Sequence, residues 1–251
     1  MYNRNGGQMF SKNYKEDDKM ENKNNKENKD YYLPISSYSD YLKNMKGYLE
    51  YGIITYYSNF KQFDDYGNEC LYRYIYENKL REKQEEIERI SKKKFSTVMR
   101  NVRQLVKADS NLVTATNSPN GIVYIINYST APHGYFVTIH HEILGCLLDA
   151  CSENALKLYV FLSYRCKEGA TKITLKELAE AIGLSPNSKD TLQRITNITM
   201  VLNGKFIKKE YKWENAYDEK TKEIKNKKFC YYSIIPYEEF EEIRKREKGE
   251  R

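Results

Sequence analysis

Residues Thr174 to Leu202 read TLKELAEAIGLSPNSKDTLQRITNITMVL, which predicts a helix, a tight turn and a second helix. The Thr174 hydroxyl can cap a backbone N–H at the start of the first helix, and Glu177 can reach back to complete a capping box. Gly183 ends this helix because glycine readily adopts the positive φ of a helix C-terminus. The second helix restarts at the Ser185–Pro186 step or at Ser188, with apolar residues at helical spacing turned inward.

The outward face of the second helix carries Gln193, Arg194 and Asn197. Arginine can bond guanine through two hydrogen bonds, and asparagine and glutamine can do the same with adenine in a major groove. These three residues are therefore predicted to contact bases. Lys189, near the start of the same helix, is predicted to contact a phosphate.

Two strands are predicted after this helix, because Phe206 to Trp213 (FIKKEYKW) and Lys228 to Ile235 (KFCYYSII) alternate in strand fashion. The segment between them, Glu214 to Lys227, is predicted to be a charged loop. Helix, turn, helix and hairpin is the order of a winged helix, whose wing lies on DNA phosphates. The predicted phosphate contacts of this wing are Lys220, Lys222, Lys225 and Lys227.

A similar pattern occurs earlier in the chain, in the helix predicted over Phe95 to Lys107. The Asn120–Gly121 step that follows lies between two β-rich runs and is a strong hairpin signal. A second helix-plus-wing unit is therefore predicted here. Its predicted base contacts are Thr97, Arg100 and Gln104, and its predicted phosphate contacts are Lys93, Arg103 and Lys107.

The segment before this unit is rich in tyrosine and is predicted to be helical. Leu49 to Phe60 is predicted to form an amphipathic helix, and Glu69 to Lys93 one or two helices. Tyr72, Tyr74 and Tyr76 are interpreted as core and helix-packing residues. A platform for single-stranded bases is the alternative interpretation of these tyrosines.

Composition sets the domain organisation. The 251 residues carry a formal charge of +7, which fits a polyanionic partner, although an AT-rich coding genome would also favour lysine. Residues 1–30 are too polar to form a core and are predicted to be a disordered arm. Turn residues at 129–134 predict a linker. The predicted fold is α+β, mainly α, with winged-helix domains at 31–129 and 130–251.

Several classes of protein are not expected. No apolar run reaches about 18 residues, and the polar N-terminus is not that of a secretory signal, so no membrane partner is expected. The five cysteines include no CxxC pair and are interpreted as reduced thiols of a cytoplasmic protein. His140 and His141 are adjacent and are predicted to point to opposite faces of a strand, so they are not expected to chelate one metal. No phosphate-binding loop or catalytic constellation is found, so no enzyme activity, metal or cofactor is expected.

Four segments carry a resemblance to a known family. They are FVTIHHEIL from Phe136, SENALKLYVFLSYRC from Ser152, ITLKELAEAIGLS from Ile173, and the segment Leu192 to Lys209. Together they resemble the winged-helix domain of replication initiators of Gram-positive plasmids and phages and of DnaD-type primosome proteins. The tandem arrangement is also similar to that of iteron-binding initiators, which implies two adjacent groove contacts.

The resulting hypothesis is sequence-specific binding of double-stranded DNA in plasmid or phage replication initiation. A transcriptional regulator and a plasmid partition protein are the alternatives within that class. A winged-helix protein-interaction module is the alternative of another class, since fold does not decide function. Replication proteins and a second copy of the chain are further candidate partners. The homodimer would form through the last helix, predicted from Tyr237 to Arg251, or through Met200 and Val201.

Overall fold

A computed structural model of the protein describes residues 32–63, 69–108, 112–127, 135–219 and 221–249. The predicted arm over residues 1–30 and the predicted linker over 129–134 lie outside these residues. The described part is α+β, and about half of it is helical. Its elements in chain order are β1 (Tyr32–Ser36), α1 (Ser39–Asn44), α2 (Tyr48–Tyr56), β2 (Asn59–Phe63), β3 (Glu69–Tyr76), α3 (Glu77–Glu82), α4 (Gln84–Ser91), α5 (Phe95–Ala108), β4 (Val113–Ser118), β5 (Gly121–Ile126), β6 (Phe136–His140), α6 (His141–Ala150), α7 (Glu153–Arg165), β7 (Thr171–Lys172), α8 (Leu175–Ala181), α9 (Lys189–Leu202), β8 (Ile207–Asp218), β9 (Glu223–Ile234) and α10 (Tyr237–Glu247).

The two halves of the chain use the same order of elements. The first half follows the order α2, β3, α4, α5 and the β4–β5 hairpin. It also contains β2 before β3 and α3 after β3. In the second half, α7, β7, α8, α9 and the β8–β9 hairpin follow in the same order. The antiparallel sheets match as well, because β3-β5-β4 and β7-β9-β8 both place the first strand beside the last. The described part thus contains a repeat of topology.

Helix α2 lies at the centre of the fold. Every residue from Tyr48 to Thr55 is buried, so the prediction of an amphipathic helix from Leu49 to Phe60 is wrong. The helix is covered on several sides because α5, α6 and α7 all pack against it. Gly52 allows the close approach, since a Cβ at this position would be 2.9 Å from Leu156 Cδ2.

Strand β3 corrects the prediction that Glu69 to Lys93 is entirely helical. Tyr72, Tyr74 and Tyr76 lie on this strand, with ring centroids 6.4 and 6.0 Å apart and edge-to-face geometry. Their spacing of two residues is the period of a strand. The helices α3 and α4 begin only at Glu77.

The helices predicted in the second half are present as α8, α9 and α10. β6, α6 and α7 lie in the two segments that begin at Phe136 and Ser152, and the Ser152 side chain caps α7. The last helix, α10, packs on the core of the second half. Phe240 is fully buried, and its ring stacks on that of Phe206 with centroids 5.9 Å apart.

The predicted charged loop from Glu214 to Lys227 is wrong. Strands β8 and β9 have 12 residues each and pair continuously from Ile207↔Ile234 to Asp218↔Glu223. Charged side chains of the ribbon have partners within the fold, since Lys227 Nζ lies 3.0 Å from Asp218 Oδ2 and Glu214 Oε2 accepts from Lys172 Nζ at 2.8 Å. Lys225 and Lys227 therefore lie on a strand rather than in a loop.

The strand β1 links the two halves. It pairs with β6 in antiparallel register from Tyr32↔His140 to Ser36↔Phe136. The buried side chains of both halves also belong to one continuous core. Residues on either side of the predicted boundary at 129/130 therefore share backbone hydrogen bonds and a core.

Candidate nucleic-acid interface

The α8–turn–α9 unit is fixed by local hydrogen bonds that the sequence predicted. Thr174 Oγ1 accepts from the Glu177 N–H at 3.2 Å, and Glu177 Oε2 accepts from the Thr174 N–H at 2.7 Å. Gly183 has φ of +76°. Ser188, one of the two predicted restart points, caps α9 by accepting from the Thr191 N–H at 3.3 Å. These bonds satisfy backbone groups that helix ends leave without partners.

A contact with the first half of the chain holds the same turn. A Cβ on Gly183 would lie only 2.3 Å from the Lys43 carbonyl oxygen at the end of α1. The turn between α8 and α9 therefore packs directly on α1. This contact fixes the position of α9 relative to the first half.

Helix α9 presents its predicted base-contacting residues to solvent. Gln193, Arg194 and Asn197 are all exposed, whereas Ile195 and Leu202 are fully buried on the other side. Gln193 Nε2 donates to Asn197 Oδ1 at 3.0 Å. That bond leaves the Asn197 amide donors and the Gln193 oxygen for an outside partner. A donor and an acceptor side by side are what the major-groove edge of adenine requires.

The predicted phosphate-contacting lysines of the second half differ in their surroundings. Lys189 is exposed at the start of α9, and Lys222 is exposed at the hairpin tip with φ of +55°. Lys227 Nζ lies 3.0 Å from Asp218 Oδ2, and Lys225 Nζ lies 3.7 Å from Glu223 Oε2. Lys220 lies outside the described residues. Lys222 therefore remains a predicted phosphate contact, and its side chain is exposed at the tip.

The first half exposes its own set of predicted contacts along α5. Arg100, Gln104 and Lys107 are exposed, and Thr97 is half-buried. The neighbouring Asn101 instead donates from Nδ2 to Glu50 Oε1 at 2.8 Å. Some polar residues of α5 are therefore exposed to solvent, whereas Asn101 is bonded to a buried carboxylate inside the protein.

Lys93 and Arg103 have partners within the fold. Lys93 Nζ lies 2.7 Å from Oε1 of Glu50, a carboxylate that is fully buried on α2. Arg103 donates to Glu77 at 3.1 Å, and this hydrogen bond and the charge of Glu77 raise the pKa of the guanidinium above its ordinary value. Sequence reasoning missed Glu50 and Glu77, although the apolar run around Glu50 (LEYGIITYY) was a signal that this acid is buried.

The histidines and cysteines have structural surroundings. His140 Nδ1 caps α6 by accepting from the Glu142 N–H at 3.3 Å, while His141 stacks on Tyr56 with ring centroids 4.2 Å apart. Burial lowers the pKa of both imidazoles. Within the described ranges, Cys146, Cys151, Cys166 and Cys230 are free thiols. The same ranges contain no group of three or more His, Cys, Asp or Glu side chains arranged to hold a metal ion.

The helices of the described residues are short. The longest, α5 and α9, have 14 residues each, whereas a bilayer span needs about 20. None of the described helices is long and apolar enough to span a membrane. Comparisons with protein-family models, curated proteins and solved structures give no match for this chain.

Proposed function

We propose that this chain binds double-stranded DNA sequence-specifically through two winged-helix units. The repeated topology supports this proposal, because helix, strand, helix, helix and hairpin, with the first strand beside the last, is the arrangement of a winged helix. In this assignment α5 and α9 are the recognition helices. The β4–β5 and β8–β9 hairpins are the wings.

The exposed face of α9 is the observation that carries the proposal. Gln193, Arg194 and Asn197 offer hydrogen-bond donors and acceptors on one helix face, and the opposite face is anchored in the core. Lys189 and Lys222 supply cationic groups at the start of the helix and at the hairpin tip. This combination suits base contacts flanked by phosphate contacts. On α5, Arg100 and Gln104 would take the corresponding role.

Within this class we propose a role in plasmid or phage replication initiation, on the resemblance of the second half to such initiators. A double-stranded site with two adjacent groove contacts is then the expected partner. Transcriptional regulation and plasmid partition use the same DNA contacts and remain the alternative proposals. Selection of bound fragments from the replicon of origin, followed by footprinting, distinguishes these roles, since an initiator should protect repeated sites about one helical turn apart.

The test of the interface compares two arginines. Arg194→Ala should weaken binding to the selected site by about 1–3 kcal/mol and relax one base preference. The matched control is Arg165→Ala, which removes an exposed arginine from the last turn of α7 rather than from α9. Unchanged affinity of Arg194→Ala for the selected site would show that the assigned face is wrong.

The wing has a separate signature. Lys222→Ala should weaken binding to all sequences similarly and reduce the salt dependence by about one counterion. If Arg194→Ala and Lys222→Ala weaken binding to random DNA by the same factor, the assignment of Arg194 to bases and Lys222 to phosphates is wrong. Titrations at two salt concentrations measure both effects.

One observation favours the alternative of a protein-interaction module. Met200 and Val201, on the last turn of α9, are 66% and 59% exposed, and exposed apolar side chains are common at protein interfaces. Under this alternative, α9 meets a second copy of the chain or a replication protein. Absence of DNA binding even at low salt would support it.

A further inference from the structure

The β8–β9 hairpin has two chemically different faces. Strand alternation and the pairing register place twelve residues on one face, and we call the ten of them beyond the Ile207–Ile234 pair the aromatic face. They are Lys209, Tyr211, Trp213, Asn215, Tyr217, Ile224, Asn226, Lys228, Cys230 and Tyr232. The aromatic face contains no carboxylate, and all ten of its positions are described.

The acidic residues of the two strands all lie on the opposite face, which we call the carboxylate face. Glu214 accepts from Lys172 at 2.8 Å and also from the Tyr231 hydroxyl. Lys225 and Lys227 pair with carboxylates on this face. The carboxylate face therefore neutralises its own charge, whereas the aromatic face keeps an excess of positive charge.

The outer part of the aromatic face is exposed and apolar. Tyr211, Trp213, Tyr217 and Ile224 are 55%, 66%, 60% and 73% exposed. They make up half of the large apolar side chains that the described part of the chain exposes. Lys228 Nζ lies 4.4 Å from the centroid of the Tyr211 ring. Such a cluster on a surface marks a binding site.

The spacing of the rings points to a particular partner. Alternate residues of a strand lie about 6.6–6.8 Å apart, which is twice the 3.4 Å or so between nucleotides along one strand of a duplex. Tyr211 and Trp213 can therefore each stack on one base only if the nucleic-acid strand is extended. In a duplex the faces of the bases are already stacked on one another, so an unpaired strand is required.

We propose that the aromatic face binds single-stranded DNA. Bases stack on Tyr211, Trp213 and Tyr217, Lys228 meets the phosphates, and Asn215 and Asn226 lie between the rings as hydrogen-bonding groups. The absence of carboxylates on this face matches a polyanion. This activity goes beyond duplex recognition by α9, because it uses a different surface and a different form of DNA.

The chain contains a built-in reporter for this site. Trp213 is the single tryptophan of the 251 residues, so tryptophan fluorescence reports on the aromatic face alone. An oligothymidylate of roughly 12–16 nucleotides should quench it on binding. An abasic deoxyribose-phosphate chain of equal length carries the same charge without bases and should produce little quenching. Equal quenching by both chains would overturn the proposal, because it would show that charge alone drives binding.

Variants on the two faces test the assignment further. Tyr217→Ala should weaken binding of the oligothymidylate about 5- to 150-fold, the range for loss of one base–aromatic stack. Lys228→Ala should weaken it more than Lys225→Ala, which removes the same charge from the carboxylate face. Equal effects of the two lysine variants would overturn the proposal.

A last pair of measurements separates this site from its alternatives. Arg194→Ala should leave oligothymidylate binding unchanged while it weakens duplex binding, so each site can fail independently. Binding of Trp213→Ala is followed with a labelled oligonucleotide and should also be weaker than wild type. If Trp213→Ala binds the oligonucleotide normally but loses self-association in sedimentation, the face is a contact between copies and the proposal is wrong.

Discussion

Replacing Gly183 by alanine tests how the recognition unit is held against the first half of the chain. Gly183 and Gly204 both have positive φ, +76° and +83°, so either substitution should cost about 1–2 kcal/mol in backbone strain. Their surroundings differ. A Cβ at Gly183 would lie 2.3 Å from the Lys43 oxygen, whereas a Cβ at Gly204 has nothing within 4 Å.

The contact at Gly183 cannot be relieved by a rotamer change, because the Lys43 oxygen belongs to the backbone. Overpacking of this kind adds about 1–3 kcal/mol. We therefore expect Gly183→Ala to lower the free energy of unfolding by about 2–5 kcal/mol. Gly204→Ala should lower it by about 1–2 kcal/mol.

Equilibrium unfolding in urea provides the comparison, with midpoints and slopes recorded for both variants. The difference in unfolding free energy between the two variants measures the contact between the α8–α9 turn and α1, because the cost of placing alanine at positive φ is about the same in both. If Gly183→Ala and Gly204→Ala are destabilised equally, within about 0.5 kcal/mol, α1 does not press on the turn. The position of α9 would then have to be fixed by other contacts.

Two further predictions concern titrating groups. Tyr124 donates to Glu77 at 2.8 Å. Burial raises the pKa of the Glu77 carboxyl, but the hydrogen bonds from Tyr124, Arg81 and Arg103 outweigh burial and hold this pKa below its ordinary value. Because its pKa is lowered in the folded state, Glu77 stabilises the fold above the unfolded pKa of about 4.3, and this stabilisation is lost as the pH falls. Tyr124→Phe should therefore lower the free energy of unfolding by about 0.5–1.5 kcal/mol at neutral pH and make the loss of stability in acid smaller. Parallel pH profiles of the unfolding free energy for the variant and the wild type would contradict this. Burial lowers the pKa of His141, so the unfolded chain binds the extra proton and stability should fall as pH drops below about 6.5. His141→Phe preserves the ring stack on Tyr56 and should flatten that fall between about pH 7 and 5, which unfolding curves across this range would check.

The sequence predicted the parts of the fold that depend on neighbouring residues. Thr174, Gly183 and Ser188 act through bonds to atoms within a few positions, so their roles are visible in the sequence itself. The outward position of Arg194 follows from helical spacing in the same way. The α8–α9 unit and the exposed face of α9 could therefore be predicted with their residues.

Features that depend on distant residues could not be predicted. The partners of Glu50 are Lys93, which precedes α5, and Asn101 on α5, and only the packing of α2 against α5 brings them to Glu50. Tyr72, Tyr74 and Tyr76 had strand spacing, but the surrounding charged residues favoured a helix. The dense charge of Glu214 to Lys227 favoured a loop, because a strand usually buries one face. A two-stranded ribbon exposed to solvent on both faces does not have to bury its charged side chains.

The pairing of β1 with β6 has a consequence for synthesis of the protein. Leu33 and Ile35 are fully buried in the finished fold, yet their partner strand follows roughly 100 residues later, a long loop to close. At about 5–20 residues per second, the ribosome needs on the order of 5–20 seconds to make that stretch. During this interval β1 has no partner strand, so its backbone edge stays unpaired and open to pairing with other chains. The rate of elongation between β1 and β6 is therefore expected to influence how much of the protein reaches its native state.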